Sequence, residues 1–173
     1  GQQEETDQSI RLDWRWIDLR KEKNTLVFKV WTVMEQAFRE YWVKNNYIEI
    51  HSPKLIATAS ESGSEVFEVK YFEKKANLAQ SPQLYKQMLA CSVEKTFMIT
   101  PVWRAEKHNT VRHINEIRQM DIEVGFANTM VVMKLQEEVV KHMISEAIKR
   151  NAAELELLGI KLHVPGAKYV TYE

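Results

Sequence analysis

Four short stretches of this sequence hold residues suited to ligand chemistry, and the richest is WRAEKHNTVRHINEIRQMDIE, residues 103–123. Arg104 and Glu106 alternate there, so a strand would place both side chains on one face. An arginine can grip a phosphate with two parallel hydrogen bonds. A nearby carboxylate can accept a hydrogen bond from an adenine amino group, hold Mg²⁺ or anchor an ammonium. The competing interpretation is an exposed hairpin with cross-strand ion pairs.

The same stretch returns as a second strand, on which the three polar residues after Glu116 share one alternating phase. Glu116 comes first, and Gln119, Asp121 and Glu123 then stand two residues apart. Side chains two apart on a strand share a face. The sequence therefore predicts one polar face on this strand, beside the strand that ends near Arg104.

The second stretch is AQSPQLYKQM, residues 79–88, which is typical of the start of a helix at Pro82. Gln83 and Lys86 are three apart, so they are neighbours on that helix and could address one ligand. A lysine brings three donors and a full charge to a carboxylate, and a glutamine supplies a donor and an acceptor. The alternative is an exposed surface lysine.

Two further stretches are less specific. The loop ATASESGSEVF, residues 57–67, carries Glu61 beside small residues, where its carboxylate could close over a substrate ammonium or remain solvated. The unit IEIHSPKL, residues 48–55, ends a helix and strand at Pro53, and taken alone it indicates only ordinary packing.

The elements that would position these residues follow from hydrophobic spacing and breakers. A long amphipathic helix begins near Leu26 and ends at Asn45–Asn46, because asparagine tolerates the left-handed conformation at helix ends. The other predicted elements, in chain order, are a short helix or turn over Leu12–Arg20, strands at Tyr47–Ile50, Val66–Tyr71 and Ala76–Ala79, the helix from Pro82, strands at Lys95–Arg104 and Ile114–Phe126, and a helix from Met130 to Leu158 closed by Gly159. This order predicts an α+β fold.

Length and composition indicate one globular domain. The 173 residues are 45% hydrophobic, and 24 basic residues balance 24 acidic ones, so net charge neither indicates nor excludes a nucleic-acid partner. The single cysteine, Cys91, excludes an internal disulfide and is expected to be a small buried thiol. No membrane span or signal peptide is visible, which favours a cytoplasmic protein. Residues 1–10 read as a tag or linker remnant, and residues 11–173 as the domain.

Together, the order and spacing of the four stretches resemble the class II aspartyl-tRNA synthetases of the archaeal and eukaryotic type, from about Arg11 onward. HSPKL resembles the end of motif 1, whose proline, here Pro53, lies at the dimer interface of that family. WRAE…RHINE resembles motif 2, the antiparallel hairpin that holds ATP. QSPQLYK is the segment that separates this family from lysyl- and asparaginyl-tRNA synthetases. The resemblance implies a partial class II catalytic domain, an antiparallel sheet flanked by helices.

The resemblance also implies roles for individual residues. Arg104 would bind the α-phosphate of ATP and Glu106 the adenine end. Further ATP-site residues would be those in and after the hairpin loop, namely His108, Arg112, His113, Glu116 and Ile117. The residues implied for the aspartate ammonium and its orientation are Glu61, Gln83, Gln119 and Asp121. Lys86 would bind the aspartate side-chain carboxylate. An asparagine amide there would leave a donor facing Lys86, at a cost of about 1–3 kcal/mol.

The implied activity is ATP- and Mg²⁺-dependent formation of aspartyl-adenylate, followed by transfer to tRNA(Asp) or to both tRNA(Asp) and tRNA(Asn), by a cytoplasmic homodimer that binds no membrane. Motif 3 and the anticodon-binding OB-fold do not occur in the sequence, so we expect this fragment to be inactive alone. Two residues depart from the family pattern: Ile117 replaces a phenylalanine that stacks on adenine, and Ser62 replaces a glycine.

Two other functions are compatible with the same residues. One is an asparaginyl-tRNA synthetase, or an asparagine synthetase descended from one. The other is a non-catalytic synthetase relative used for dimerisation or RNA binding. Amino-acid preference distinguishes the first from an aspartate enzyme, and ATP binding distinguishes the second.

Overall fold

The computed structural model describes residues 6–57, 65–108, 110 and 112–171. The chain forms two compact units, one of Gly1–Arg39 with Met133–Glu173 and the other of Glu40–Val132. The helices are α1 (Gln8–Asp13), α2 (Arg15–Asp18), α3 (Glu22–Lys44), α4 (Gln83–Val93), α5 (Thr129–Arg150) and α6 (Ala152–Leu157). The strands are β1 (Ile48–Glu49), β2 (Leu55–Ile56), β3 (Glu68–Tyr71), β4 (Lys74–Leu78), β5 (Lys95–Trp103) and β6 (Glu116–Val124). None of the helices in these described ranges is long and apolar enough to span a bilayer.

The second unit holds two three-stranded sheets. One has the order β1-β5-β6, with β5 and β6 antiparallel over nine residue pairs and β1 parallel to β5. The other has the order β2-β4-β3 and is antiparallel throughout. The α+β class is therefore confirmed, but the sheet that contains the long hairpin is mixed because β1 joins it in parallel.

The core of this unit lies around the central strand β5. Its most enclosed large side chains are Trp42, Phe97, Met98 and Val102. Trp42 contacts Tyr47 with ring centroids 4.5 Å apart, which joins the end of α3 to the start of β1. Asn46 between them takes φ 63°, so the helix ends at the asparagine pair as predicted. These contacts anchor β1 beside β5, one of the two strands that carry the candidate site.

Two predictions were wrong in detail, one about a helix and one about the burial of Cys91. The helix expected from Met130 to Leu158 is divided at Asn151, which takes φ −114° and ψ 28° before α6 begins. Gly159, at φ 65°, does end α6 as expected. Cys91 is exposed rather than buried, because it faces away from the sheet on α4. At the N-terminus α1 begins at Gln8, inside the stretch expected to be a linker.

Candidate active site

One face of the β5–β6 hairpin collects the polar residues that the sequence places in phase. Met98 lies opposite Asp121, and Thr100 lies opposite Gln119. Directly opposed residues of antiparallel strands share a face. The members of this hairpin face, as we call it, are Thr96, Met98, Thr100, Val102, Ile117, Gln119, Asp121 and Glu123. Polar side chains thus lie side by side on a surface that α4 partly covers.

Helix α4 begins where its sequence predicts. Pro82 precedes the first helical residue, and the Ser81 hydroxyl accepts a hydrogen bond from the Gln83 backbone N–H at 3.1 Å. This bond satisfies one of the donors left free at a helix start. The three-residue spacing then turns both Gln83 and Lys86 toward β6. Lys86 is only 7% exposed, so the alternative of a surface lysine is excluded by the structure.

Lys86 contacts two carboxylates. Its Nζ lies 2.9 Å from Oδ1 of Asp121 and 3.4 Å from Oε2 of Glu123. The same Oε2 atom lies 3.5 Å from Nε2 of Gln83, a long hydrogen bond. One ammonium and two carboxylates leave a formal charge of −1, in a place where side-chain exposure is 9% for Lys86 and 15% for Asp121. Such a group of charges can bind a ligand that carries both an ammonium and a carboxylate.

Several buried polar atoms of this region have no hydrogen-bond partner in the part of the chain that the structure describes. They are Oδ2 of Asp121, Oε1 of Gln119, Oγ1 of Thr96 and Nε of Arg104. An unsatisfied buried polar group costs about 1–3 kcal/mol. Their accumulation on one face is typical of a binding surface, because a polar ligand can satisfy them together.

Arg104 and Glu106 lie just beyond β5, which ends at Trp103, and not within the strand as predicted. Backbone pairing nevertheless continues, since the Arg104 N–H donates to the Asn115 carbonyl at 3.0 Å. Strand alternation therefore keeps Arg104 on the hairpin face, six residues beyond Met98. At ~3.3 Å per residue, roughly 20 Å of strand separates these two backbone positions. Lys86 and Arg104 thus lie at opposite ends of the hairpin face, an arrangement that suits an elongated ligand.

Contacts with Asn115 and Glu65 hold the segment after β5 in place. The Glu106 N–H donates to Oδ1 of Asn115 at 3.1 Å. The Ala105 N–H donates to the Glu65 carbonyl at 3.0 Å, and the Lys107 ammonium lies 2.5 Å from the Glu65 carboxylate. The backbone of Glu106 is therefore held in place at the base of the hairpin, and this fixes the position from which its carboxylate side chain extends.

The hairpin loop presents its predicted residues to solvent. His108, Arg112 and His113 are all exposed. The His108 and His113 rings have centroids 5.7 Å apart, and Nδ1 of His113 lies 2.6 Å from the Thr110 hydroxyl. The loop can therefore reach a charged ligand with basic groups, without any of them being enclosed.

Glu116 and Pro53 lie off the hairpin face, whereas Ile117 lies on it. Glu116 lies opposite Trp103 and is on the other face of the hairpin. Ile117, opposite Val102, is on the hairpin face and half-buried. Pro53 is exposed in the segment between β1 and β2. Glu61 and Ser62 lie outside the described residues.

The segment after β1 places another cation near this face. The Lys54 ammonium donates to the Ser52 hydroxyl at 2.9 Å, and that hydroxyl lies 4.0 Å from the sulfur of Met98. Burial lowers the pKa of the Lys54 ammonium. The motif 1-like segment therefore borders the hairpin face.

Glu123 has no role among the residues predicted from the sequence, although the structure brings it to Lys86 and Gln83. The signal was present, because Glu123 follows Asp121 by two residues on the same strand. Its contact with α4 depends on how the helix crosses the strand, which spacing alone does not specify.

The family model for class II tRNA synthetases (D, K and N) matches residues 7–173, which is nearly the whole chain. The chain belongs to this family.

Relatives of this synthetase chain include the aspartate–tRNA(Asp/Asn) ligase of Methanosarcina acetivorans, 44% identical over 172 residues, which cover 98% of this chain and 39% of that protein. The aspartate–tRNA(Asp) ligase of Pyrococcus furiosus is 46% identical over 167 residues, 94% of this chain and 38% of that protein. The crystal structure of asparaginyl-tRNA synthetase from Pyrococcus horikoshii complexed with asparaginyl-adenylate matches with a TM-score of 0.84 and 33% identity, covering 88% of this chain and 35% of that one. The chain thus spans about two fifths of the length of the curated relatives that it matches.

Proposed function

We propose that this synthetase chain supplies the aspartate- and ATP-binding face of an aspartate–tRNA ligase. The observation that carries the proposal is the enclosed Lys86 ammonium, held by carboxylates on the same hairpin face that leads to Arg104. A fixed cation favours a ligand with an acidic side chain over its amide. The aspartate–tRNA ligases among the relatives support the same substrate.

In this proposal the bound aspartate exchanges partners with the Lys86–Asp121 ion pair. Its side-chain carboxylate accepts hydrogen bonds from Lys86, and its ammonium donates to Asp121, whose Oδ2 is buried without a partner among the described residues. Gln83 and Gln119 orient the amino acid with their amide groups. Glu61, which the sequence places in the loop before β3, completes the ammonium contacts.

ATP then occupies the end of the hairpin face near Arg104. The buried Nε of Arg104 supports a phosphate contact, because it has no hydrogen-bond partner among the described residues. Glu106 receives the adenine end, Ile117 covers the base, and the loop residues His108, Arg112 and His113 reach the phosphates. Glu116 faces the other way and is left outside this assignment.

We propose that Mg²⁺ arrives with the phosphates of ATP as part of the substrate. Within the described ranges, no group of three or more His, Cys, Asp or Glu side chains is arranged to hold a metal ion. Asp121 and Glu123 are both engaged by Lys86, so neither is set up as a metal ligand.

The reaction joins two substrates by positioning and charge neutralisation. An oxygen of the aspartate α-carboxylate attacks the α-phosphorus of ATP. The bond from that phosphorus to the bridging oxygen of the β-phosphate breaks, and pyrophosphate leaves. The aspartyl group then passes to a hydroxyl of the terminal ribose of tRNA, and AMP leaves. No protein nucleophile takes part.

We further propose a cytosolic homodimer that charges tRNA(Asp), with tRNA(Asn) as a second substrate to be tested. Apolar side chains exposed on α3 support the dimer: Val27 is 57% exposed, and Phe28 and Trp31 are each 44% exposed. Neighbouring apolar groups of this kind mark contact surfaces. Sedimentation of the full-length protein tests the dimer, and charging of each purified tRNA tests the range.

The experiment that tests the amino-acid assignment is ATP–pyrophosphate exchange by the full-length protein that carries this sequence. We expect exchange with aspartate and at least about 100-fold lower kcat/KM with asparagine, since a neutral amide leaves the Lys86 charge unmatched. The likeness to an asparaginyl enzyme makes asparagine the second candidate. A preference for asparagine would assign that function instead. If the protein shows no pyrophosphate exchange and calorimetry detects no ATP binding, a non-catalytic role would be assigned instead.

A further inference from the structure

Glu123 is the one acidic group of the Lys86 cluster to which the proposed reaction gives no contact with substrate. Its carboxylate is nevertheless part of that cluster, with side-chain exposure of 25%. A single oxygen, Oε2, faces Nζ of Lys86 at 3.4 Å and Nε2 of Gln83 at 3.5 Å. One oxygen of β6 therefore links the two α4 residues proposed to touch aspartate.

The second carboxylate has a consequence when substrate binds. In the free chain Asp121, at 2.9 Å, is the closer partner of Lys86. Once the substrate ammonium binds Asp121, the Asp121 carboxylate is shared between that ammonium and Lys86. The ion pair that fixes Lys86 to β6 is then weaker. A flexible lysine has several rotamers, and restricting them before binding reduces the entropy lost in the complex. Glu123 is the group that can keep Lys86 in place at that moment.

We propose that Glu123 is a positioning residue for aspartate recognition. It holds Lys86 and Gln83 in the orientation that receives the aspartate side chain while Asp121 is occupied by the substrate ammonium. This inference rests on the proposed function, because it assigns Lys86 to the aspartate carboxylate. Glu123 itself touches no reacting atom.

The location of Glu123 predicts which kinetic constant depends on it. Glu123 lies opposite Thr96, eight residues along β5 from Arg104. Loss of its charge should therefore disturb the aspartate end of the face and leave the ATP end intact. A residue that only stabilised the hairpin would affect both ends alike.

The test compares Glu123→Gln, Glu123→Asp and the control Glu94→Gln in the full-length protein by aspartate-dependent ATP–pyrophosphate exchange. Glu94 is exposed at the end of α4 and touches neither Lys86 nor Gln83 in the described contacts. For Glu123→Gln we expect KM for aspartate to rise about tenfold, with KM for ATP and kcat within about threefold of wild type. Glu123→Asp keeps the charge and should lie closer to wild type, and Glu94→Gln should match it.

The outcomes separate cleanly. An unchanged or lower KM for aspartate in Glu123→Gln overturns the inference, and so does an equal rise of both KM values with a lower melting temperature. If Glu123→Gln loses folded protein, Glu123→Asp carries the test, because its side chain is one methylene shorter and draws the carboxylate away from Lys86 and Gln83. A KM for aspartate that rises alone, by less than the roughly tenfold rise expected for Glu123→Gln, then supports positioning, and an unchanged KM overturns it. A wild-type protein without aspartate-dependent exchange instead overturns the proposed function itself, and the inference falls with it.

Discussion

Two charged clusters of this chain have opposite arrangements. In the first unit the Asp18 carboxylate, 4% exposed, is surrounded by Arg11, Arg15 and Lys21 at 3.2–3.5 Å. Each of its oxygens has cationic partners, and those partners are 38–64% exposed. In the second unit the enclosed ion is the cation Lys86, and its partner Asp121 keeps a buried oxygen without a hydrogen bond in the described part of the chain.

This difference indicates that the Asp18 cluster has a structural role and the Lys86 cluster a functional one. The Asp18 cluster is complete, and Nδ2 of Asn24 also binds the Asp18 carbonyl at 2.8 Å, so the cluster ties α1 and α2 to the start of α3. The Lys86 cluster is incomplete, and incomplete buried networks are costly unless a ligand finishes them. We therefore expect mutations in the first cluster to affect folding without changing catalysis, and mutations in the second to lower catalysis whether or not they also change stability.

The largest effect should come from Lys86→Met. It removes the proposed partner of the aspartate carboxylate, and we expect kcat/KM for aspartate to fall by at least about 100-fold in pyrophosphate exchange. It also leaves Asp121 and Glu123 facing each other without a cation, which should cost up to about 3 kcal/mol of stability, measurable by urea unfolding. Activity near wild type would remove the basis for assigning this cluster to substrate.

Arg104→Met comes next. We expect kcat/KM for ATP to fall by about 10- to 100-fold, because a guanidinium contact to the phosphate is lost. Stability should change little, since the buried Nε has no hydrogen-bond partner among the described residues. An Arg104→Met variant with a lower melting temperature and normal ATP binding would contradict the contrast drawn between the two clusters.

Asp18→Asn should show the reverse pattern, with lower melting temperature and unchanged pyrophosphate exchange. The hydrogen bond from Arg11 lowers the pKa of Asp18 below its usual value of 3.8. A carboxylate with a lowered pKa contributes stability above its unfolded pKa and loses that contribution as pH falls through the folded pKa. The melting temperatures of wild type and Asp18→Asn should therefore converge below about pH 4. A constant gap down to pH 2 would mean that charge is not what stabilises the cluster.

Cys91→Ser should have the smallest effect. The thiol is exposed on α4, five residues after Lys86, so we expect unfolding free energy within about 0.5 kcal/mol of wild type and unchanged exchange. A thiol reagent should also label the native chain at Cys91. Protection of this thiol in the chain would show that α4 is covered on its outer side.

Much of this arrangement could be predicted from local pattern. Alternation along 116–124 indicated that Gln119, Asp121 and Glu123 share a face, and the register with β5 confirms it. The end of α3 at Asn46 and of α6 at Gly159 followed from the freedom of these residues to adopt positive φ.

The rest depended on contacts between distant parts of the chain. Whether Lys86 is enclosed and Cys91 exposed is decided by which side of α4 meets β6, and both side chains are compatible with either side of a short helix. The parallel pairing of β1 with β5 joins residues nearly fifty positions apart, Ile48 with Thr96, and no local signal encodes it. The break at Asn151 interrupts a helical periodicity that continues on both sides, so hydrophobic spacing alone does not mark it.

The most direct measurement is a crystal structure of the full-length protein with a non-hydrolysable aspartyl-adenylate analogue. We expect the aspartyl carboxylate to lie within hydrogen-bond distance of Lys86 Nζ, and the group replacing the phosphate to contact Arg104. An analogue bound on this face in the reverse direction, or away from β5 and β6 altogether, would contradict the proposed function.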